Sequence, residues 1–330
     1  MGKAHETAEA LLSPGKGLLV LDEYVDAMVQ RLRAKRSGIS VQKYLDLALA
    51  TPELERWVSG ILLSAEGFAA SEPLRTSRRR TDAPIPLVGV RMDTGSTRLR
   101  TADRPADGLA DLRRRLAGTR RAGAAFVEWR ANLDPLTVAP STVHVDAEAL
   151  ARGAAASQLE DVLPVVTIAM PDLVSHSIGV TQAVTGNALT ELFSQLQRFE
   201  VDTSAMLLRV NMVVGGKRNL THTPHEDVAR ATLACISSRV HPSVPGIAFL
   251  SGGQLIQQAC ANLSAITALS HRQRRPLRLT FGFARALVSS SLELWRGDQN
   301  RADAQRELIQ SCRRASQALS SAIASGSTSV

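Results

Sequence analysis

Short apolar runs of about five residues recur along the whole chain, separated by longer amphipathic stretches. Eight can be delimited: Gly17–Leu21, Gly60–Ser64, Pro86–Arg91, Ala124–Arg130, Leu163–Ile168, Met206–Asn211, Gly246–Ser251 and Arg278–Phe283. Such runs are too short for buried helices and are apolar on both faces, which is what parallel strands need when helices cover them on both sides. Helices are expected between them over Ala106–Gly123, Asp146–Leu159, Ala188–Phe199, Pro224–Arg239 and Gln254–Leu269. An open doubly wound sheet usually stops at about six strands, so eight alternations predict a closed (β/α)8 barrel, a TIM barrel of the α/β class. No low-complexity linker interrupts the pattern, so one barrel domain is expected over residues 1–330. Its Ser/Ala-rich tail begins near Ala315 and should be helical at first, then frayed.

With 44% hydrophobic but only 4% aromatic residues, the core of that barrel must be mostly aliphatic. The net charge of +8 raises the question of a nucleic-acid partner. Arg78, Arg79 and Arg80 form a run within a polar loop from Ser71 to Pro84, and most other cations are interspersed with acids as on solvated helix faces. Nucleic acid is therefore not the expected partner. Cys235, Cys260 and Cys312 have neither disulfide nor zinc spacing, and His222 and His225 share a loop without a carboxylate cluster beyond Glu226 and Asp227, so neither metal nor cofactor is expected. No run reaches the ~18 apolar residues of a membrane span, the N-terminus has no secretory h-region, and the last residues are Ser-Thr-Ser-Val rather than Ser-Lys-Leu. These features point to the cytoplasm or an organellar lumen.

Chemistry in a barrel of this kind sits where the strands end, so the residues closing each run are the ones to inspect. They are Asp22, Glu66, Arg91 with Asp93, Glu128 with Arg130, Thr167 with Ala169, Arg209 with Asn211, Ser251 to Gly253, and Arg285. Such a concentration of charge at core ends is either a set of structural ion pairs or a site.

Six collinear segments decide what these residues resemble. They are Pro14-Gly-Lys-Gly-Leu-Leu-Val-Leu-Asp-Glu23, Val88-Gly-Val-Arg-Met-Asp-Thr-Gly95, Ala125-Phe-Val-Glu-Trp-Arg130, Leu207-Leu-Arg-Val-Asn-Met-Val213, Val244-Pro-Gly-Ile-Ala-Phe-Leu-Ser-Gly-Gly-Gln254 and Phe281-Gly-Phe-Ala-Arg-Ala-Leu287. Together they resemble the class I fructose-bisphosphate aldolase family over nearly the whole chain. That family's reaction runs through a lysine Schiff base that acts as electron sink for carbon–carbon cleavage. The lysine lies in a Leu-Leu-Lys-Pro-Asn-Met-Val motif, and the resemblance places Arg209 at its position. A guanidinium stays protonated and its delocalised nitrogens do not attack carbonyls, so the covalent step is expected to be lost.

The resemblance implies further departures. Glu128 matches a second active-site lysine, which should repel a phosphorylated substrate. Arg91 matches an active-site lysine and Thr94 another lysine of the same motif. Thr167 and Ala169 match a carboxylate pair that supplies acid/base catalysis. Tyr24 and Ala27 replace serines, and the closing C-terminal tyrosine has no counterpart, since Tyr24 and Tyr44 are the only tyrosines. Matching residues that persist are Asp22, Glu23, Arg31, Trp129 and Arg130, with a partial phosphate cradle of Ser251, Gly252, Gly253 and Arg285. Gly282 and Ala284 stand in that cradle where the family has Ser and Gly. Of five lysines (Lys3, Lys16, Lys35, Lys43 and Lys217), only Lys217 follows position 43, and its polar loop offers nothing to desolvate it.

Besides incorporation into a larger basic assembly through the Arg78–Arg80 loop, which rests on charge alone, two functions are then in contention. One is a catalytically inactive barrel serving as scaffold or binding module, with protein partners, a pocket for a phosphorylated sugar or other anion, and the homotetrameric assembly that the family implies. The other is a divergent lyase or related enzyme acting on a phosphorylated substrate through Asp22, Glu128 and Arg130, with burial raising the pKa of Glu128 toward a proton-transfer role.

Overall fold

A computed structural model describes residues 2–33, 39–72, 75–76, 85–92, 105–134, 138–170, 175–216, 223–273, 277–297 and 299–324. The eight strands are β1 (Gly17–Leu21), β2 (Val58–Leu63), β3 (Leu87–Arg91), β4 (Phe126–Asn132), β5 (Leu163–Ala169), β6 (Leu207–Asn211), β7 (Ile247–Leu250) and β8 (Leu279–Phe283). They pair in sequence order, β8 returns to β1, and every pairing is parallel, so the sheet closes into the expected barrel.

Each apolar run became a strand, with no end shifted by more than two residues. Outside the sheet lie α1 (Lys3–Leu11), α2 (Glu23–Arg33), α3 (Val41–Leu49), α4 (Ala65–Ala70), α5 (Pro105–Arg121), α6 (Pro140–Leu159), α7 (Ile178–Arg198), α8 (His225–Ser237), α9 (Ile256–His271), α10 (Arg285–Leu294) and α11 (Arg301–Ala324). The helices α6 and α7 begin six and ten residues before their expected starts. Pro140 at the first position of α6 and the Ser177 cap on the Val180 N–H of α7 are N-terminal signals that the apolar pattern alone passes over.

Alternation along the strands divides the core in two. Side chains such as Leu19, Leu21, Val127, Trp129 and Val166 face outward and pack under the helices. Trp129 is buried there, its indole N–H donating to Ser157 Oγ of α6 at 2.9 Å, so this residue of the aldolase-like motif serves packing. Leu18, Val20, Leu62, Phe126, Leu163, Val165, Leu207 and Ala248 fill the interior together with Ala4, Ala8, Leu11 and Leu12 of the α1 region, which plug its N-terminal end. Each fully buried Leu or Phe contributes about 1.5–3 kcal/mol, so the lower barrel is a dry, aliphatic support. One step further along each strand the same alternation turns Arg91, Glu128, Arg130, Thr167 and Arg209 inward.

Candidate functional site

Strand register assembles the site. Arg91 of β3 lies beside Glu128 of β4, Arg130 beside Thr167 of β5, and Thr167 beside Arg209 of β6. Glu128 has no solvent exposure and is the hub. Its Oε2 accepts from Arg91 Nε at 2.6 Å, and its Oε1 accepts from Thr167 Oγ1 at 2.6 Å and from Arg209 Nη1. Arg91 also donates through Nη2 to Asp22 Oδ2 at 3.2 Å, and Arg130 lies 3.6 Å from the same oxygen. Asp22 in turn accepts from the Tyr24 N–H at 3.1 Å.

Burial pushes the Glu128 carboxyl upward, but the guanidinium groups of Arg91, Arg209 and Arg130, with the Thr167 hydroxyl, outweigh it. The group is held well below the usual carboxylate range. A carboxylate that accepts from two guanidiniums and a hydroxyl has no capacity to take a substrate proton near neutrality, which corrects the expectation of a raised pKa. It also corrects the expected repulsion of anions, because the charge of Glu128 is spent on Arg91 and Arg209. Burial and the adjoining Arg91 lower Arg130 from its ordinary value, and it remains a cation nonetheless.

Arg209 is 1% exposed. Besides Glu128 it grips the carbonyl oxygen of Gly282 on β8, through Nε at 3.1 Å and Nη2 at 2.8 Å. Thus the single side chain at the end of β6 ties together β4 and β8 across the barrel.

Beside this network opens a cavity of about 220 Å³, lined among others by Asp22, Tyr24, Arg130, Arg209, Ser251 and Arg285. Gly252 (φ +56°) and Gly253 (φ +77°) also line it, and both occupy the left-handed region that a side chain would strain. Ala284, where the family has glycine, has φ −101° and lies outside the left-handed region. Arg285 opens α10 with its guanidinium 5.6 Å from the ring centre of Tyr24, whose hydroxyl meets Ser289 Oγ at 2.9 Å. Arg31 is exposed in the last turn of α2 and does not line the cavity.

Two further side chains hold the mouth together. Asn211 Oδ1 accepts from the Met170 N–H at 3.0 Å and so fixes the end of β5 against β6, and Tyr24 stacks on a cradle arginine 261 positions away. Each stands two residues past an inward-facing charge, Asp22 or Arg209, and Asn211 also closes the sixth apolar run. Asp93, Thr94, Lys35, Lys217, His222 and the Arg78–Arg80 run lie outside the described residues, as does the side chain of Glu23. His225 pairs its Nδ1 with Asn262 Oδ1 at 2.5 Å, and among the described residues no group of three His, Cys, Asp or Glu is placed to hold a metal.

Comparison with known proteins bears directly on this geometry. A family model described as fructose-bisphosphate aldolase class-I matches residues 3–329. The chain belongs to the class I fructose-bisphosphate aldolase family. It is similar to fructose-bisphosphate aldolase 2 of Caenorhabditis elegans, 33% identical over 319 residues that cover 92% of this chain and 85% of the relative. A probable fructose-bisphosphate aldolase class 1 of Xanthomonas campestris is 31% identical, with 89% of each chain covered. Among solved structures, the fructose-bisphosphate aldolase of Plasmodium falciparum, crystallised with TRAP and a small-molecule inhibitor, superposes with a TM-score of 0.81 at 29% identity, covering 96% of this chain and 94% of that one. Within the aldolase family, then, this member carries a closed arginine–glutamate network at its strand ends.

Proposed function

We propose that the chain keeps the aldolase barrel without its Schiff-base reaction and works as a binding module, with a phosphorylated sugar or another anion at the barrel mouth and protein partners on a homotetrameric body. The observation that carries this is Arg209. It stands in the Leu-Leu-Arg-Val-Asn-Met-Val segment of β6, with its guanidinium locked between Glu128 and Gly282. A nucleophilic amine is needed there, and a guanidinium cannot serve. Among the described lysines, Lys3 lies in α1, Lys16 precedes β1 at the plugged end, and Lys43 is exposed in α3; none lines the mouth. The proton-transfer role that a divergent enzyme would ask of Glu128 is opposed by its bonds to Arg91, Arg209 and Thr167.

Fructose 1,6-bisphosphate with borohydride, followed by intact mass measurement, tests this reading. No covalent adduct and no retro-aldol turnover are expected. A trapped adduct or steady turnover by the unmodified chain would refute it. The Arg209→Lys variant returns the amine, and an adduct seen only there assigns the loss to that position. Light scattering on the purified protein should give the mass of four chains.

A further inference from the structure

Behind the turn that follows β7, three side chains from separate parts of the chain stand in line. His225, the first residue of α8, meets Asn262 Oδ1 of α9 through its Nδ1 at 2.5 Å. Asn262 Nδ2 donates to Gln254 Oε1 at 2.5 Å, and Gln254 Nε2 donates to the carbonyl oxygen of Ser251 at 2.6 Å. The backbone N–H of Gln254 reaches the same carbonyl at 3.2 Å. Asn262 and Gln254 are buried, so their amides depend on these partners rather than on water.

The far end of the line sets the direction of every link. A carbonyl oxygen only accepts, so Gln254 must turn its N–H group to Ser251, which leaves its own oxygen facing Asn262. Asn262 must then answer with N–H, which leaves its oxygen facing the histidine ring. Nδ1 of His225 therefore has to carry a proton. One acceptor thus decides two amide orientations and one tautomer. The ring donates from Nδ1 whether it is neutral or charged, because protonation adds its hydrogen at Nε2 and leaves the line intact.

What the line holds is the turn itself. Gly252 and Gly253 follow Ser251 with φ of +56° and +77°, and a β-carbon built on Gly252 would lie 3.1 Å from Asn211 Nδ2 and 3.9 Å from Gln254 Nε2. A peptide unit is planar, so fixing the Ser251 carbonyl also fixes the direction of the Gly252 N–H. We infer that His225, Asn262 and Gln254 are positioning residues, a one-way hydrogen-bond line that keeps the Ser-Gly-Gly turn in its left-handed form, with a proton held on His225 Nδ1 as the first donor. None of the three lines the 220 Å³ cavity, and the device concerns the backbone of the turn whatever occupies the mouth.

Nuclear magnetic resonance of the full chain, labelled with nitrogen-15, reads both ends of the line. The ring signals of His225, assigned by their loss in His225→Asn, should show a proton on Nδ1 at every pH at which the chain is folded. A bare Nδ1 overturns the line. The amide signals of Gly252 and Gly253 report the turn. Gln254→Met, Asn262→Leu and His225→Leu each remove one link and should displace both signals. His225→Asn puts a side-chain N–H where Nδ1 stood and should return them toward the positions of the unmodified chain, a rescue that loss of packing alone would not give. Unmoved glycine signals in the three apolar variants, or equal displacement by His225→Leu and His225→Asn, overturn the positioning role. Should the two buried substitutions prevent folding, the ring proton and the pair of His225 variants decide by themselves. No measurement here uses a ligand or borohydride, so failure leaves the binding and Schiff-base questions to their own assay.

Discussion

Glu128 shows how a single buried carboxylate sets the character of the mouth. Its removal leaves the guanidinium of Arg209, 1% exposed, without a carboxylate, and takes one carboxylate from Arg91, which is 4% exposed and keeps Asp22. Breaking a buried pair by deleting one partner costs about 3–5 kcal/mol, because the desolvated charge that remains has nothing to offset it. Glu128→Ala is therefore expected to lose that much in a urea denaturation series, whereas the charge-balanced pair Glu128→Gln with Arg209→Met should lose considerably less. The cysteines behave in the opposite sense. Burial alone pushes the thiol of Cys312 up to about 12, and burial against a weaker pull from Arg314 leaves Cys260 at about 11. Thiolates are the reactive form, so labelling by a disulfide reagent at pH 8 should be slow for the folded chain and fast only after denaturation.

Among the elements, α11 carries more weight than its polar, Ser/Ala-rich sequence suggests. Ala304, Leu308, Cys312 and Ala315 form a buried stripe at helical spacing, and Ser291 Oγ of α10 donates to the Ala304 carbonyl at 2.8 Å. The tail was legible as helical from near Ala315, yet the helix starts at Arg301, because the packing surface offered by α9 and α10 is not encoded locally. Leu308→Ala should cost about 2–5 kcal/mol, the usual range for a Leu truncated in a core, and thermal melting would measure it. The strands, in contrast, were readable to within two residues. A run covered on both faces has to be apolar throughout, whereas a helix can hide its ends in caps such as Ser177.

For the molecule as a whole, the depressed Glu128 carboxyl ties stability to pH in a definite direction. A group whose folded pKa lies below its unfolded value stabilises fully above the ordinary glutamate range and loses that contribution as pH falls through the folded value. Stability should therefore hold from neutrality to about pH 5 as far as Glu128 is concerned and then decline, with a shallower acid limb in Glu128→Gln than in the unmodified chain. Denaturation midpoints at several pH values would check this; a parallel decline in both proteins would remove Glu128 as a cause. Some of the 39 basic residues are paired at the surface, such as Arg113 with Glu160 and Arg278 with Glu9, and these pairs leave the net charge of +8 unchanged. No described helix is long and apolar enough to cross a membrane.

Alternation of apolar runs and amphipathic stretches was enough to specify eight strands closed into a barrel, since hydrophobic periodicity is a local property that burial enforces at each position. The identity of Arg209 likewise excluded an amine without any coordinates, because protonation of a guanidinium depends little on its surroundings. What Glu128 does could not be read that way. Its charge state and its partners depend on Arg91, Thr167 and Arg209, which stand 37, 39 and 81 positions away and meet it only through strand register and barrel closure. The same holds for Gly282: its missing side chain has meaning only because β8 places it against the guanidinium of Arg209.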